Sequence, residues 1–296
     1  MHIPVLLQEV IENLSLKEGM TILDCTLGGG GHSREICSRI GRKGVLVGLD
    51  QDEASLAKVR EGMKKCGCAF TAVNENFRNL DAVLEQMHIQ TVSGILFDLG
   101  LREDQLSASG RGFSFRRDEP LIMTFSSKLS QGKLTAYEIV NAWSEEEIGR
   151  ILKEYGEERF ARRIAKGIVA HRKIDPIKTT KDLVHIIEKS TPIFYQKGRG
   201  HAARNTFQAL RIVVNDELGA LKEGLGKAAA MLTPGGRIAV ISFHSLEDRI
   251  VKHFFKEMKE TENFNSITKK PIVPGEAEIE RNPLARSAKL RVVEKK

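Results

Sequence analysis

The sequence predicts an α/β protein: a doubly wound parallel sheet interrupted by a mostly helical insertion. Three observations predict it. Short apolar runs alternate with helix-length polar segments up to Gly100. Helical signals then take over, and the alternation resumes after about Phe207. A run of four glycines, Gly28-Gly29-Gly30-Gly31, follows the first apolar run. That is where an open parallel sheet binds its ligand.

The elements follow in order. Thr21–Cys25 reads as a strand, then a helix runs from about Ser33 to Ile40. Val45–Asp50 is the second strand, with a helix over about Glu53–Lys65. Ala69–Val73 is the third strand, Phe77–Met87 the third helix and Ile95–Asp98 the fourth strand. Strand–helix alternation builds βαβ units, and right-handed crossovers wind helices onto both faces. Residues 102–132 are polar and rich in Ser, Gly and Arg, which reads as a long loop. From Leu134 to Lys189 the pattern is helical. Ser144 and Glu147 form a capping box. Phe160, Ile164 and Ile168 share one helix face. Thr180 is placed as an N-cap. Phe207, Leu210, Val214, Leu218, Leu221, Leu225 and Leu232 form one long helical stripe, ended by Thr233-Pro234-Gly235-Gly236. Ile238–Phe243 is the fifth strand, Leu246–Lys259 a helix and Ala288–Val293 the last strand. Residues 1–103 and 205–296 then make the sheet domain, and 104–204 the insertion.

With 296 residues, 41% of them hydrophobic, the chain can bury a sizeable core and is not disordered. No apolar run approaches the roughly 18 residues of a membrane span. The first residues lack the basic segment and cleavage site of a signal peptide. The expectation is a soluble, cytoplasmic protein. Cys25, Cys37, Cys66 and Cys68 fit no zinc spacing and no disulfide scaffold; they read as buried or half-buried thiols. No metal-ligand set is visible. The net charge is +7 but uneven: Arg150–Arg211 carries 15 Lys/Arg against 6 Asp/Glu. A polyanionic partner fits that excess. Arg162, Arg163 and Lys166, clustered on one predicted helix, are the candidate phosphate contacts.

The glycine loop lets a ligand approach the backbone. Asp50 ends the second strand 20 residues after Gly30, where a carboxylate suits the two hydroxyls of a ribose. The loop is not the dinucleotide fingerprint, because Ser33 stands where the third glycine belongs. Asp24, just before the loop, would repel a pyrophosphate and favour a cationic ligand such as S-adenosylmethionine. Asp98 ends the fourth strand and faces the ligand, the substrate or a helix N-terminus.

Gly30-Gly31-His32-Ser33, Phe97-Asp98-Leu99-Gly100, Arg111–Phe115, Tyr155–Glu158, Thr206–Ile212, Val214-Asn215 and Ile241–Arg249 together resemble the MraW (RsmH) family. So do His2, Pro4, Val5 and Glu9, and Asn282-Pro283 with Ala285–Ser287. The resemblance implies a Rossmann-like methyltransferase sheet with a helical insertion; the basic excess makes that insertion the expected rRNA-binding part. It implies S-adenosylmethionine-dependent methylation of a cytidine N4 amine in the decoding region of 16S rRNA in the small ribosomal subunit. It places the cofactor on Gly30, Gly31, His32, Asp50, Phe77, Asp98 and Gln105. The chain departs from the family at Arg102-Glu103, Ile122–Ser126 and Arg204-Asn205, outside those cofactor positions.

The residues agree with an amine target. Carbon-5 methylation of a pyrimidine needs a nucleophilic cysteine, commonly after proline, and no cysteine here follows one. An amine needs acceptors that hold its protons and aim its lone pair. Asp98 is the first candidate, with Asn215 and His244 behind it. Phe113, Phe115 or Phe243 would stack the base. Two rival readings fit the same residues: a methyltransferase with another nucleic-acid target, and a non-catalytic ribosome-assembly or RNA-binding protein that retains the cofactor pocket.

Overall fold

The computed structural model describes residues 4–127, 132–196 and 201–296. His2 lies outside them. The chain forms two compact units: Met1–Gly100 with Leu218–Lys296, and Leu101–Glu217.

The first unit begins with helix α1 (Leu7–Leu14), then β1 (Thr21–Asp24), α2 (Gly31–Ile40), β2 (Val45–Asp50), α3 (Glu53–Met63), β3 (Ala69–Asn74), α4 (Leu80–Gln86) and β4 (Val92–Asp98). Its strand alternation explains why it buries two faces. Ile22, Leu46, Leu96, Ala239 and Ile241 enter one apolar layer with Val10, Ile36 and Ile40. Their neighbours Leu23, Val47, Ile95, Phe97, Ile238 and Val240 enter the other with Leu80, Leu84 and Leu225. Strands covered on both faces are the signature of a parallel sheet.

In the second unit are α5 (Glu103–Ala108), α6 (Ala136–Ala142), α7 (Glu145–Gly156), α8 (Ala161–Arg172), α9 (Thr180–Ser190), the short α10 (Ile193–Gln196) and α11 (Arg204–Asn215). Ile148, Ile151, Ile164, Ile168, Leu183, Ile187 and Leu210 meet in its core. Thr135, Ser144 and Thr179 open α6, α7 and α9 with capping boxes. The expected cap at Thr180 is therefore one residue late. Thr180 is buried instead: its hydroxyl oxygen accepts the Glu119 N–H at 3.0 Å. The expected long loop is also corrected. It contains α5, and Phe113, Leu121 and Met123 are buried. Gly112 has φ +78°, and a Cβ there would strike the Pro120 carbonyl.

The chain then returns to the first unit through α12 (Glu217–Met231), β5 (Leu232–Ser242), α13 (Ser245–Glu260), β6 (Phe264–Ser266), α14 (Glu276–Arg281) and β7 (Lys289–Lys295). The single helical stripe is in fact two helices. Asp216 caps α11 at φ 46°, and α12 starts at the next residue. The sheet order is β3-β2-β1-β4-β5-β7-β6. The first five strands are parallel, but β7 runs antiparallel to both β5 and β6, so the sheet is mixed.

Cys37 on α2 and Cys68 just before β3 are joined in a disulfide, with Cα atoms 5.3 Å apart. Only Cys25 and Cys66 are free, which corrects the expectation of four thiols. Spacing along the chain says nothing of a helix docking beside a distant strand end. No helix among the described residues is long and apolar enough to cross a membrane.

Candidate active site

Strands β1, β2 and β4 each end in an aspartate, and the strand order reverses between β1 and β4. A crevice forms at such a reversal. The glycine loop leaves β1 there and is stitched to its neighbours. Cys25 N–H donates to the Leu96 carbonyl and Leu27 N–H to the Leu49 carbonyl, both at 2.8 Å. Gly28 and Gly30 take φ of 53° and 69°, which favour glycine. A Cβ on Gly29 would meet no atom within 4 Å beyond its chain neighbours, so the loop is open at Gly29.

The three aspartates do different things. Asp24 is enclosed under the loop. Its carboxylate accepts the Ser33 hydroxyl at 2.6 Å and the Thr26 N–H at 3.1 Å. Burial raises its pKa. It braces the loop against α2 and does not present a charge to a ligand, contrary to the sequence expectation. Asp50 accepts N–H groups of Gly28 at 2.9 Å and Asp52 at 2.8 Å, one on each oxygen, and so shapes the loop from the β2 side. Asp98 is different. Its backbone N–H donates to Thr26 Oγ1 at 2.6 Å, which fixes the strand end. Its side-chain Oδ1 is buried and has no hydrogen-bond partner among the described residues. Burial, and then the charge of Glu247, push its carboxyl up to about 7.

His32 lies in the first turn of α2. Its Nε2 is 3.0 Å from the Val5 carbonyl and its Nδ1 is 3.5 Å from Asp98 Oδ2. Burial lowers its pKa, more than the neighbouring Asp24 charge raises it. The neutral ring that donates Nε2–H to Val5 therefore turns a bare Nδ1 toward Asp98. Gly31 packs under Pro4 so closely that a Cβ would enter the proline ring. The Leu6 N–H donates to Glu278 Oε1 on α14 at 2.7 Å. Residues 4–6 thus form a strap over the start of α2, held from the far end of the chain. Phe77 meets Phe97 edge-on at 5.4 Å and packs on Gly224. Phe243 packs against Gly100.

The other expected residues have structural partners of their own. His244 is the N-cap of α13: its Nδ1 accepts the Glu247 N–H at 3.4 Å, and Glu247 Oε2 accepts the His244 N–H at 3.2 Å. In the second unit, Gln105 Oε1 accepts the Arg102 N–H at 3.1 Å. Asn215 Oδ1 accepts the Phe125 N–H, and its Nδ2 donates to the Met123 and Arg211 carbonyls, at 2.8–2.9 Å. It pins residues 123–125 to the end of α11. Phe113 is core and stacks on Phe125, while Phe115 stacks on His201 at 4.5 Å. Arg162, Arg163 and Lys166 are all exposed on α8.

The MraW methylase family model matches residues 1–296, the whole chain. This chain belongs to the MraW methylase family. Two relatives bear the name ribosomal RNA small subunit methyltransferase H. That of Halothermothrix orenii is 45% identical over 99% of this chain and 98% of its own length. That of Paenibacillus sp. (strain JDR-2) is 45% identical over 99% of each. Among solved structures, an rRNA methylase from Streptococcus thermophilus aligns over 100% of this chain and 99% of its own at 10% identity, with a TM-score of 0.46.

In this methylase, sequence reasoning missed Thr26, Ser33, Glu247, Glu278 and the strap. Glu247 carried a signal, since it stands three residues after His244 in a capping-box spacing. Glu278 carried none, because it acts on a residue 272 positions away.

Proposed function

We propose that the methylase modifies the N4 amine of a cytidine in the decoding region of 16S rRNA, presented by the small ribosomal subunit in the cytoplasm. It is an S-adenosylmethionine-dependent rRNA methyltransferase. The observation that carries the finer reading is Asp98 Oδ1, a buried acceptor left without a protein donor among the described residues, on the carboxylate that ends β4 beside β1. Buried acceptors are nearly always paired, so a ligand or substrate N–H is the natural partner.

The residues fit the cofactor. The open side of the glycine loop at Gly29 leaves room for close approach, the Asp50 carboxylate ends β2 where it suits the hydroxyls of a ribose, and Phe77 lies against Phe97 of β4. When bound, S-adenosylmethionine supplies an electrophilic methyl group on a sulfonium. The protein's part is then positioning. Asp98 Oδ1 accepts one amino proton of the cytosine and turns the nitrogen lone pair toward the methyl. Orientation of this kind removes much of the barrier. A carboxyl near 7 also suits taking up the proton that the amine loses. His32, held by Val5, turns its Nδ1 lone pair to Asp98 Oδ2 at 3.5 Å, where it can accept the carboxyl proton once Asp98 has taken one up. On this reading Gly30, Gly31, His32, Asp50, Phe77 and Asp98 of the first unit contact the cofactor, and the second unit contacts the rRNA through Arg162, Arg163 and Lys166.

The test is methyl incorporation into purified small subunits and into free 16S rRNA, with the product nucleoside identified. N4-methylcytidine from subunits is expected. A methyl on carbon or ribose would overturn the amine assignment.

A further inference from the structure

Outside the crevice, the second unit exposes an aromatic cluster among exposed arginines. Ile193 and Phe194, side by side on α10, are 68% and 64% exposed. The turn that presents them is anchored on its other residues. The Tyr195 hydroxyl donates to Glu158 Oε2 at 2.8 Å, and Gln196 Nε2 donates to the Glu188 and Thr191 carbonyls at 2.6 and 3.0 Å. Burial and Glu158 raise the pKa of that phenol, so it stays a donor. The exposure of Phe194 is thus imposed by the anchors, not by slack in the chain.

The ring has aromatic and cationic neighbours. Phe160 meets Phe194 at 6.3 Å and Tyr195 at 4.9 Å, both edge-on. The guanidinium carbons of Arg159 and Arg163 lie 5.6 and 5.9 Å from the Phe160 centroid. Arg159, Arg162, Arg163 and Lys166 are exposed, and none makes an ion pair among the described residues. Glu158 does not neutralise them: it is buried and commits its oxygens to Tyr195 and the Phe160 N–H.

We infer that Phe194 and Phe160, with Arg159, Arg162, Arg163 and Lys166, form a platform for single-stranded RNA, one unpaired base stacking on Phe194 and its flanking phosphates meeting the cations. This deepens the rRNA-substrate reading and rests on it. Cations alone would hold any polyanion, whereas an exposed ring beside them selects strands whose bases are free to stack. A protein partner would need a carboxylate-rich surface; an RNA strand supplies both the charge and the flat apolar face.

The experiment titrates the full-length methylase with an unstructured oligouridylate and with a blunt RNA duplex of equal length, at several salt concentrations. Phe194→Ala and Phe194→Leu should each weaken oligouridylate binding by about 5- to 150-fold, the range for removing one base–aromatic stack. Their salt slopes should match wild type, and duplex binding should hardly change. Arg159→Gln with Arg163→Gln should instead flatten the slope, by about 0.7 for each phosphate no longer neutralised. Wild-type affinity in Phe194→Leu would mean that apolar cover, not stacking, matters, and would overturn the platform. So would equal losses on duplex and single strand, no oligouridylate binding by wild type, or a self-association that Phe194→Ala abolishes. Unchanged S-adenosylmethionine affinity checks that the variants fold. Methyl transfer by wild type to small subunits is scored separately: if it occurs while Phe194→Ala binds RNA normally, only the platform fails. If wild type methylates no RNA, the substrate reading fails.

Discussion

Asp98 is a carboxyl that the fold keeps from ionising early. Its pKa stands at about 7 against an ordinary 3.8, because burial and then Glu247 disfavour the anion. Between those values the folded chain holds a proton that the unfolded chain has lost. The stability contributed by this group is therefore present at acid pH and falls as pH rises toward 7. A cationic ligand works in the opposite direction, since it favours the anion. S-adenosylmethionine affinity should rise with pH through about 7 and then level, with proton release on binding below that point. Calorimetry in buffers of different ionisation enthalpy measures this. Asp98→Asn should make the profile flat and lower the single-turnover rate at saturating cofactor; a normal rate would remove its role toward the amine. Asp50→Ala should weaken the cofactor by about 1–3 kcal/mol, the range for removing a charged hydrogen bond, with part of the loss arising because Gly28 and Asp52 also lose their acceptor. Unchanged calorimetric affinity would remove the ribose assignment. Both aspartates stand out in the sequence because each closes an apolar strand; the structure adds that Asp50 also holds Gly28 and Asp52, and these experiments test the roles toward cofactor and amine. Asp24 followed the same rule and was misjudged, because whether a carboxylate faces out or under a loop depends on the path of that loop.

Elements whose pattern is periodic were legible; elements joined by isolated short-range interactions were not. The parallel strands could be read because both of their faces are apolar. The break at Asp216 could not, since Val214 and Leu218 keep the i, i+4 spacing across it and only a left-handed residue interrupts the helix. The strap of residues 4–6 was invisible for a similar reason: its attachments to His32, Gly31 and Glu278 leave no periodicity. They make α2 sensitive at its first turn. Gly31→Ala drives a methyl into the Pro4 ring and should destabilise the strap by about 1–3 kcal/mol, the usual cost of overpacking. Cofactor affinity should fall with it. Thermal unfolding with and without S-adenosylmethionine reports both, and full retention of ligand-induced stabilisation would show the strap to be independent of the loop.

For the molecule as a whole, the two units divide the candidate residues. Gly30, Gly31, His32, Asp50, Phe77, Asp98 and His244 belong to the first; Gln105, Arg162, Arg163, Lys166 and Asn215 belong to the second. The uneven charge anticipated this division, because the basic excess sits in the chain that makes the second unit. Arg162→Gln, Arg163→Gln and Lys166→Gln together should weaken small-subunit binding and reduce its salt slope by about 0.7–0.9 for each phosphate left without its cation. Cofactor affinity should stay as in wild type. Filter binding at graded salt decides it, and parallel slopes with equal affinity would make the cluster a solvated face. Net charge could not reveal which basic side chains stand beside an exposed ring, because that depends on how a four-residue turn is anchored.

The insertion of the second unit between β4 and β5 has a consequence for how the chain is born. When β4 leaves the ribosome, its eventual neighbour β5 has not yet been translated. At about 5–20 residues per second, the intervening segment takes on the order of ten seconds to make. Throughout that interval the nascent half-sheet β3-β2-β1-β4 ends in an open edge bearing Ile95, Leu96 and Phe97, all wholly buried in the finished protein. Open apolar edges recruit other chains. The helical segment has its own core and can mature while the half-sheet waits. Its rapid collapse would keep the wait uneventful, and slow codons placed within residues 101–217 should raise the yield of aggregated over soluble product.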